Sequence, residues 1–326
     1  MKPSVLLPTL VALTKANQPT FLWGSPGIGK SALVSQVAKA REIGFLDLRL
    51  TMLDSVDLRG VPVPKDGITH WASPVFLPTE GEGILFLDEL VQAHQSVQNA
   101  ASQLILDRKI GEYSLPVGWA IVAAGNRETD GAATHKMPSH LANRFTHIEV
   151  EHDLNDWIVW ALDSEIRPEV VSFVKFRPEL LNKFDKTMKA YPTPRAYEMA
   201  NRVLGAGLPR AGLLEALKGT LGSASAEFLA FLEIYSALPD MDKILDNPAA
   251  YDVPKELSQI WSLAGALPFY ITKDNVSNYF TFIKKLPQEF SVWSVMIALK
   301  KHKELLTSHK DYIAFCMGTS KILFGT

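Results

Sequence analysis

The sequence predicts an α/β domain built on a parallel sheet and followed by an all-helical tail. Three observations carry that prediction. A glycine loop near the start sits between an apolar strand signal and an amphipathic helix signal. Short, almost wholly apolar runs then alternate with stretches of helical periodicity up to about residue 152, the pattern of strands buried on both faces and joined by helical crossovers. From residue 153 onward the strand signals fade and helices remain.

The apolar run from Val5 to Leu13 is short and interrupted by Pro8 and Thr9, so a short helix packed on the domain is expected rather than a cleaved leader. Pro19-Thr20-Phe21-Leu22-Trp23 reads as the first strand. Gly24-Ser25-Pro26-Gly27-Ile28-Gly29-Lys30-Ser31 follows, and Ala32, Leu33, Val34, Val37 and Ala38 continue it as a helix. Residues 43–50 make the second strand. In 60–71, Asp66-Gly67 between two β-like runs predicts a hairpin, which its prolines keep out of a central sheet.

Residues 83–87 are a buried strand ending in Asp88-Glu89. A helix is expected over 94–107, a second hairpin over 109–116, and a further buried strand over 119–124 that ends at Gly125-Asn126. Leu141-Ala142-Asn143-Arg144-Phe145 then precedes an alternating strand over 146–151. Helices are expected from Leu154, after Pro168, Pro178 and Pro194, and over about 226–238, 255–267, 273–286 and 288–302. Trp157, Trp160, Trp261 and Trp293 sit at helical spacing and read as core, and the 300–303 lysine cluster reads as a solvated helix end.

The glycine loop fits G-x-x-x-x-G-K-[ST] in the strand-loop-helix context that gives the pattern meaning. Glycines let successive N–H groups point inward at a helix N-terminus, where they make a concave anion site. Lys30 adds a charge for the β- and γ-phosphates, and the Ser31 hydroxyl suits Mg²⁺. Asp88, at the carboxyl end of a buried strand, can hold the same metal, and Glu89 can orient and deprotonate a water.

Composition narrows the rest. With 47% hydrophobic and 21% charged residues over 326 positions, the chain is an ordinary globular protein of about two domains. The formal net charge of −2 provides no general field for nucleic acid or anionic membrane. The one cysteine, Cys316, excludes an internal disulfide and a cysteine metal cluster, which fits a reducing cytoplasm. His135, His140, His147 and His152 lack the helical pairing of a zinc site.

Taken in order, GSPGIGKS, ILFLDE, a strand ending in Asn126, an NRF segment and PTPRAYEMAN resemble the AAA+ ATPases over about residues 18–205. The resemblance implies a P-loop AAA+ parallel sheet, an all-α lid and here an α-helical extension, with boundaries at 1–152, 153–221 and 222–326. It implies Mg²⁺-dependent ATP hydrolysis, with Gly24 to Ser31 and Asp88 holding nucleotide and metal and Glu89 activating water. Asn126 would be sensor 1 and Arg195 sensor 2. Arg144 would be an arginine finger completing a neighbouring subunit's site, with Arg127 as its rival and an ion pair to Glu149 as the alternative use of Arg144.

Within that family the two hairpins are similar to those of the MoxR branch, with its CbbQ/NorQ-like activators. This implies a ring, expected as a hexamer, that remodels a protein client, often one carrying a von Willebrand factor A domain. A nucleic-acid motor or loader, helicase-like or clamp-loader-like, is the alternative, with Lys65, His70, Trp71, Lys109 and Tyr113 as its only hairpin contacts.

Overall fold

A computed structural model describes residues 1–127, 130 and 137–323, with side chains through residue 319 at the carboxyl end. Two compact units result, Met1–Asp156 and Trp157–Thr326.

The first unit runs α1 (Pro3–Lys15), β1 (Thr20–Trp23), α2 (Lys30–Arg41), β2 (Gly44–Arg49), α3 (Ser55–Arg59), β3 (Val61–Lys65) and β4 (Ile68–Ala72). It continues β5 (Gly83–Asp88), α4 (Gln95–Asp107), β6 (Lys109–Ile110), β7 (Tyr113–Ser114), β8 (Trp119–Gly125), α5 (Ser139–Ala142) and β9 (Thr146–Glu149). Five strands form a sheet in the order β2-β5-β8-β1-β9, each neighbouring pair parallel. Alternation along the strands sends Phe21, Leu85, Leu87, Ile121 and Ala123 to the face covered by α4, and Leu22, Ile84, Phe86, Val122 and Ala124 to the face covered by α1 and α2. Helices on both faces explain why β8 is buried at every residue. The parallel arrangement brings the carboxyl ends of β1, β5 and β8 to one edge of the sheet, where open α/β sheets bind ligands.

Both expected hairpins form, with different anchoring. β3 and β4 pair over Val61–Lys65 and Ile68–Ala72 and are largely exposed along their length. Asp66 and Gly67 both take left-handed φ, +52° and +73°, as a two-residue turn matched to strand twist requires. Ile110 and Tyr113 of the β6–β7 hairpin instead enter the core, and the Tyr113 hydroxyl donates to Pro78 O at 2.6 Å.

The second unit is helical: α6 (Leu154–Asp163) from Trp157 on, α7 (Pro168–Phe176), α8 (Pro194–Gly205) and further helices from Arg210–Leu221 to Lys310–Leu323. Trp157, Trp261 and Trp293 are buried there, while Trp160 is half-buried. Two expectations are corrected. After Pro178 there is a single 3₁₀ turn, Pro178–Leu180, because the chain loops back so that Lys183 N–H bonds Pro192 O. Helices Lys303–Thr307 and Lys310–Leu323 extend past the last expected one, the second anchored by the buried Phe315. The 300–303 cluster is the largely exposed end of a helix, as expected, where Lys300 also pairs with Asp163 at 2.9 Å and His302 Nε2 bonds Pro268 O at 2.9 Å. Among the described residues, no helix is long and apolar enough to cross a membrane.

Candidate nucleotide site

The loop between β1 and α2 is shaped by its glycines. Gly27 and Gly29 have φ of +77° and +100°, the region that side chains with a Cβ rarely adopt. At Gly29 nothing lies within 4 Å of where a Cβ would stand, so the backbone angle rather than crowding demands glycine there. Gly24 is constrained by space, since its Cβ would approach Val150 O at 3.3 Å. Ser25, Pro26 and Ile28 complete the loop, and α2 starts at Lys30 with Gly29 as its cap. The unbonded N–H groups of a first helical turn make this end an anion site.

Lys30 is buried, and its ammonium is turned onto the loop. It donates to Gly24 O at 2.6 Å, Ser25 O at 3.3 Å and Asn126 Oδ1 at 2.9 Å. The residue that follows β8 is thereby joined to the phosphate-loop lysine. Ser31, half-buried, follows in the first turn.

β5 delivers the two acids. Asp88 Oδ1 accepts from Glu89 N–H at 2.9 Å. Burial pushes the Asp88 carboxyl above its usual range, with that N–H and Lys30 opposing the rise and Asp47 and Glu89 adding to it. Glu89 has φ +60°, an uncommon conformation for a residue other than glycine. Its carboxylate accepts from the Thr51 hydroxyl. Thr51 lies in a short turn, Leu50–Met52, just past β2, and the pairing of Arg49 with Asp88 aligns the ends of β2 and β5.

Thr51, Asp47 and Asp130 are site neighbours that sequence reasoning missed. Asp130 is buried, within 3.5 Å of Ser25 Oγ, and accepts from Arg127 N–H at 3.3 Å. No local pattern marks these three; only strand order and loop placement bring them in.

The basic residues separate. Arg127 donates to Glu149 from Nε at 2.7 Å and Nη2 at 2.6 Å, so the Glu149 pairing weighed for Arg144 belongs to Arg127. Arg144 is exposed on the turn after α5. Arg195 is exposed in the first turn of α8, where Thr193 Oγ1 caps the helix by accepting from Ala196 N–H at 3.1 Å. It belongs to the second unit.

Of the histidines, His135 lies outside the described residues. His140 Nε2 contacts Ser102 Oγ at 3.3 Å, and His147 bridges Trp23 and Ala142. Among the described residues no cluster of three or more His, Cys, Asp or Glu is arranged to hold a metal. The Ser31 hydroxyl and Asp88 carboxylate are hard oxygen donors of the kind Mg²⁺ takes alongside phosphate oxygens.

Residues 19–145 match the family model of the AAA domain, dynein-related subfamily. This segment is an AAA+ ATPase domain. The match spans the glycine loop, Asp88-Glu89, Asn126 and Arg144. The chain is also similar to midasin from Giardia intestinalis, 30% identical over 170 residues that cover 48% of this chain and 4% of that protein. Midasin from Dictyostelium discoideum is 28% identical over 163 residues, 46% of this chain and 3% of that one. The chain thus spans a few per cent of the length of the curated relatives it matches. Among solved structures, NtrX from Brucella abortus in complex with ATP is 12% identical, with a TM-score of 0.39, over 99% of this chain and 68% of that one. A RuvB variant from Thermotoga maritima is 16% identical, with a TM-score of 0.41, over 74% and 79%. The AAA+ domain holds its lysine, both acids and Asn126 at one edge of its own sheet.

Proposed function

We propose that the chain hydrolyses ATP as a ring-forming AAA+ machine of the MoxR type and uses the cycle to remodel or activate a protein client. The observation that carries the reading is the convergence of Lys30, Asn126, Asp88 and Glu89 where β1, β5 and β8 end, with Lys30 and Asn126 in direct contact. In this reading the loop amides of 24–29 and Lys30 hold the phosphates. Ser31 and Asp88 hold Mg²⁺, which when bound spreads the charge of the β- and γ-phosphates. Glu89 takes a proton from the attacking water, and Asn126, able to donate and accept without adding charge, orients that water or the γ-phosphate.

Arg144 is proposed to complete the site of a neighbouring copy, supported by its exposure and by the commitment of Arg127 to Glu149. Arg195 is proposed to reach the nucleotide from a lid spanning 153–221, with an extension over 222–326. A hexamer, a cytoplasmic location and a client with a von Willebrand factor A domain belong to the same proposal. The exposed β3–β4 hairpin, presenting Val61, Val63 and Ile68, supports a protein rather than a nucleic-acid client.

The test is phosphate release by the purified chain with ATP and Mg²⁺. Glu89→Gln should bind ATP and barely turn it over, and Lys30→Ala should lose binding; full turnover by either variant overturns the reading. ATPase stimulation by DNA or RNA that collapses with added salt would replace the protein client with a nucleic acid.

A further inference from the structure

The turn that carries Arg144 is tied to the strand that leads into the chain's own phosphate loop. α5 ends at Ala142, and the turn closes through Phe145 N–H bonding Ala142 O at 3.2 Å, with Arg144 N–H bonding Leu141 O at 3.1 Å. His147 reaches back to the same carbonyl, its Nε2 lying 2.8 Å from Ala142 O. Its other ring nitrogen, Nδ1, lies 3.0 Å from Trp23 Nε1. An indole N–H can only donate and a carbonyl can only accept. Both contacts are therefore satisfied by a single neutral form of His147, with the proton on Nε2 and the lone pair on Nδ1. Trp23 is the residue immediately before Gly24.

The rings reinforce the link. His147 stacks on Trp23 at 6.1 Å with 20° between planes, and Phe145 meets Phe21 edge-on at 5.5 Å. Phe145 and His147, next to and three residues beyond Arg144, are thus fixed against β1, the strand that ends at the loop. Arg144 itself stays exposed at the apex.

We propose that His147 is a positioning residue for Arg144, acting through the Ala142 carbonyl, with Trp23 holding it in the one form that does so. The proposal rests on reading Arg144 as the arginine supplied to a neighbouring subunit. On that reading, one continuous run of contacts joins a subunit's own phosphate loop to the arginine it offers next door, and His147 is the joint. A guanidinium misplaced by about 1 Å can lose most of its rate effect, so loss of the joint lowers turnover without lowering nucleotide affinity.

His147→Phe keeps an aromatic ring in the stack and removes both hydrogen bonds; Trp23→Phe removes the indole donor and leaves a smaller aromatic ring in the stack. Each is expected to lower kcat about ten- to a hundred-fold, with affinity for a non-hydrolysable ATP analogue unchanged. That unchanged affinity also shows that each variant has folded. Nitrogen NMR of labelled histidine should show His147 protonated on Nε2 in the wild type and a mixture of forms in Trp23→Phe. The deciding measurement mixes subunits. His147→Phe subunits keep intact sites but offer a displaced arginine, whereas Glu89→Gln subunits have dead sites and offer a normal one. Mixing them should raise turnover above that of either alone, as mixing Arg144→Ala with Glu89→Gln should. If the Arg144→Ala mixture recovers and the His147→Phe mixture does not, the role of His147 is refuted and that of Arg144 stands. If neither mixture recovers, the reading of Arg144 falls and takes the proposal with it. Unchanged kcat in both aromatic variants also refutes it.

Discussion

Lys30 Nζ lies 2.9 Å from Asn126 Oδ1, so the phosphate-loop lysine and the residue just after β8 form one hydrogen-bonded pair. A triphosphate entering the loop competes with that pair for the ammonium. Asn126→Asp puts a carboxylate where the amide oxygen stands, strengthens the hold on Lys30 and adds negative charge beside the phosphates. Affinity for a non-hydrolysable ATP analogue should fall at least about tenfold, since one charge-assisted hydrogen bond is worth roughly 1.5–3 kcal/mol. Asn126→Ala should bind the analogue normally and lose turnover. Calorimetric titration of both variants checks this, and equal affinities would show the pair to be of no consequence.

Thr51 and Glu89 make a second relationship with a measurable result. The Thr51 hydroxyl donates to the carboxylate proposed to activate water, occupying an acceptor site that the water would use. Thr51→Val is close in shape and cannot donate. A hydrogen bond to a carboxylate is worth roughly 1.5–3 kcal/mol, so basal ATPase should rise at least about tenfold. Glu89→Gln, by contrast, should lose about 10²–10⁴-fold in kcat with binding retained. Steady-state kinetics on both variants separates restraint from chemistry.

Arg127 and Arg144 should behave oppositely. Arg144→Ala should bind nucleotide and lose about 10³–10⁵-fold in hydrolysis, the range for an arginine supplied in trans. Arg127→Ala breaks a partly exposed ion pair with Glu149 and should cost at most about 1 kcal/mol of stability, with ATPase within about twofold of wild type. Parallel melting curves and phosphate-release assays decide between them. A reversal of the two phenotypes would move the trans role to Arg127.

The β6–β7 hairpin gives a pH-dependent test. Burial pushes the Tyr113 hydroxyl from 10.0 up to about 12, while its proton is donated to Pro78 O. The folded value lies above the unfolded one, so the contribution is fully present below pH 10 and is lost as pH rises through about 12. Wild-type stability should therefore decline across that window. Tyr113→Phe should decline less steeply there and be about 1 kcal/mol less stable at neutral pH. Denaturant melts across the alkaline range measure both; identical slopes would remove Tyr113 from the titration.

Much of the α/β unit was legible because its signals are local. Gly24 to Ser31 is a contiguous pattern, and the burial of β5 and β8 shows as unbroken apolar runs. Asp66-Gly67 marked its turn through its backbone preference. The stretch after Pro178 reads as a helix in the sequence because a proline opening a helix looks the same as one opening a single turn, and the bond from Lys183 to Pro192 decides for the turn. Thr51 left no trace in the sequence, because its partner is 38 residues away and they meet only when β2 lies beside β5.

The sequence alone determined that a phosphate loop, two acids after a buried strand and an amide after another occur in a fixed order. Backbone preference and hydrophobic periodicity act between near neighbours and can be read from the order of residues. Only the tertiary structure decided that Lys30 holds Asn126, that Glu149 takes Arg127 rather than Arg144, and that His147 joins Trp23 to Ala142. Each of those is a choice between partners of equal chemical suitability, and distance settles it once strand order has placed residues more than twenty positions apart within 3 Å of one another.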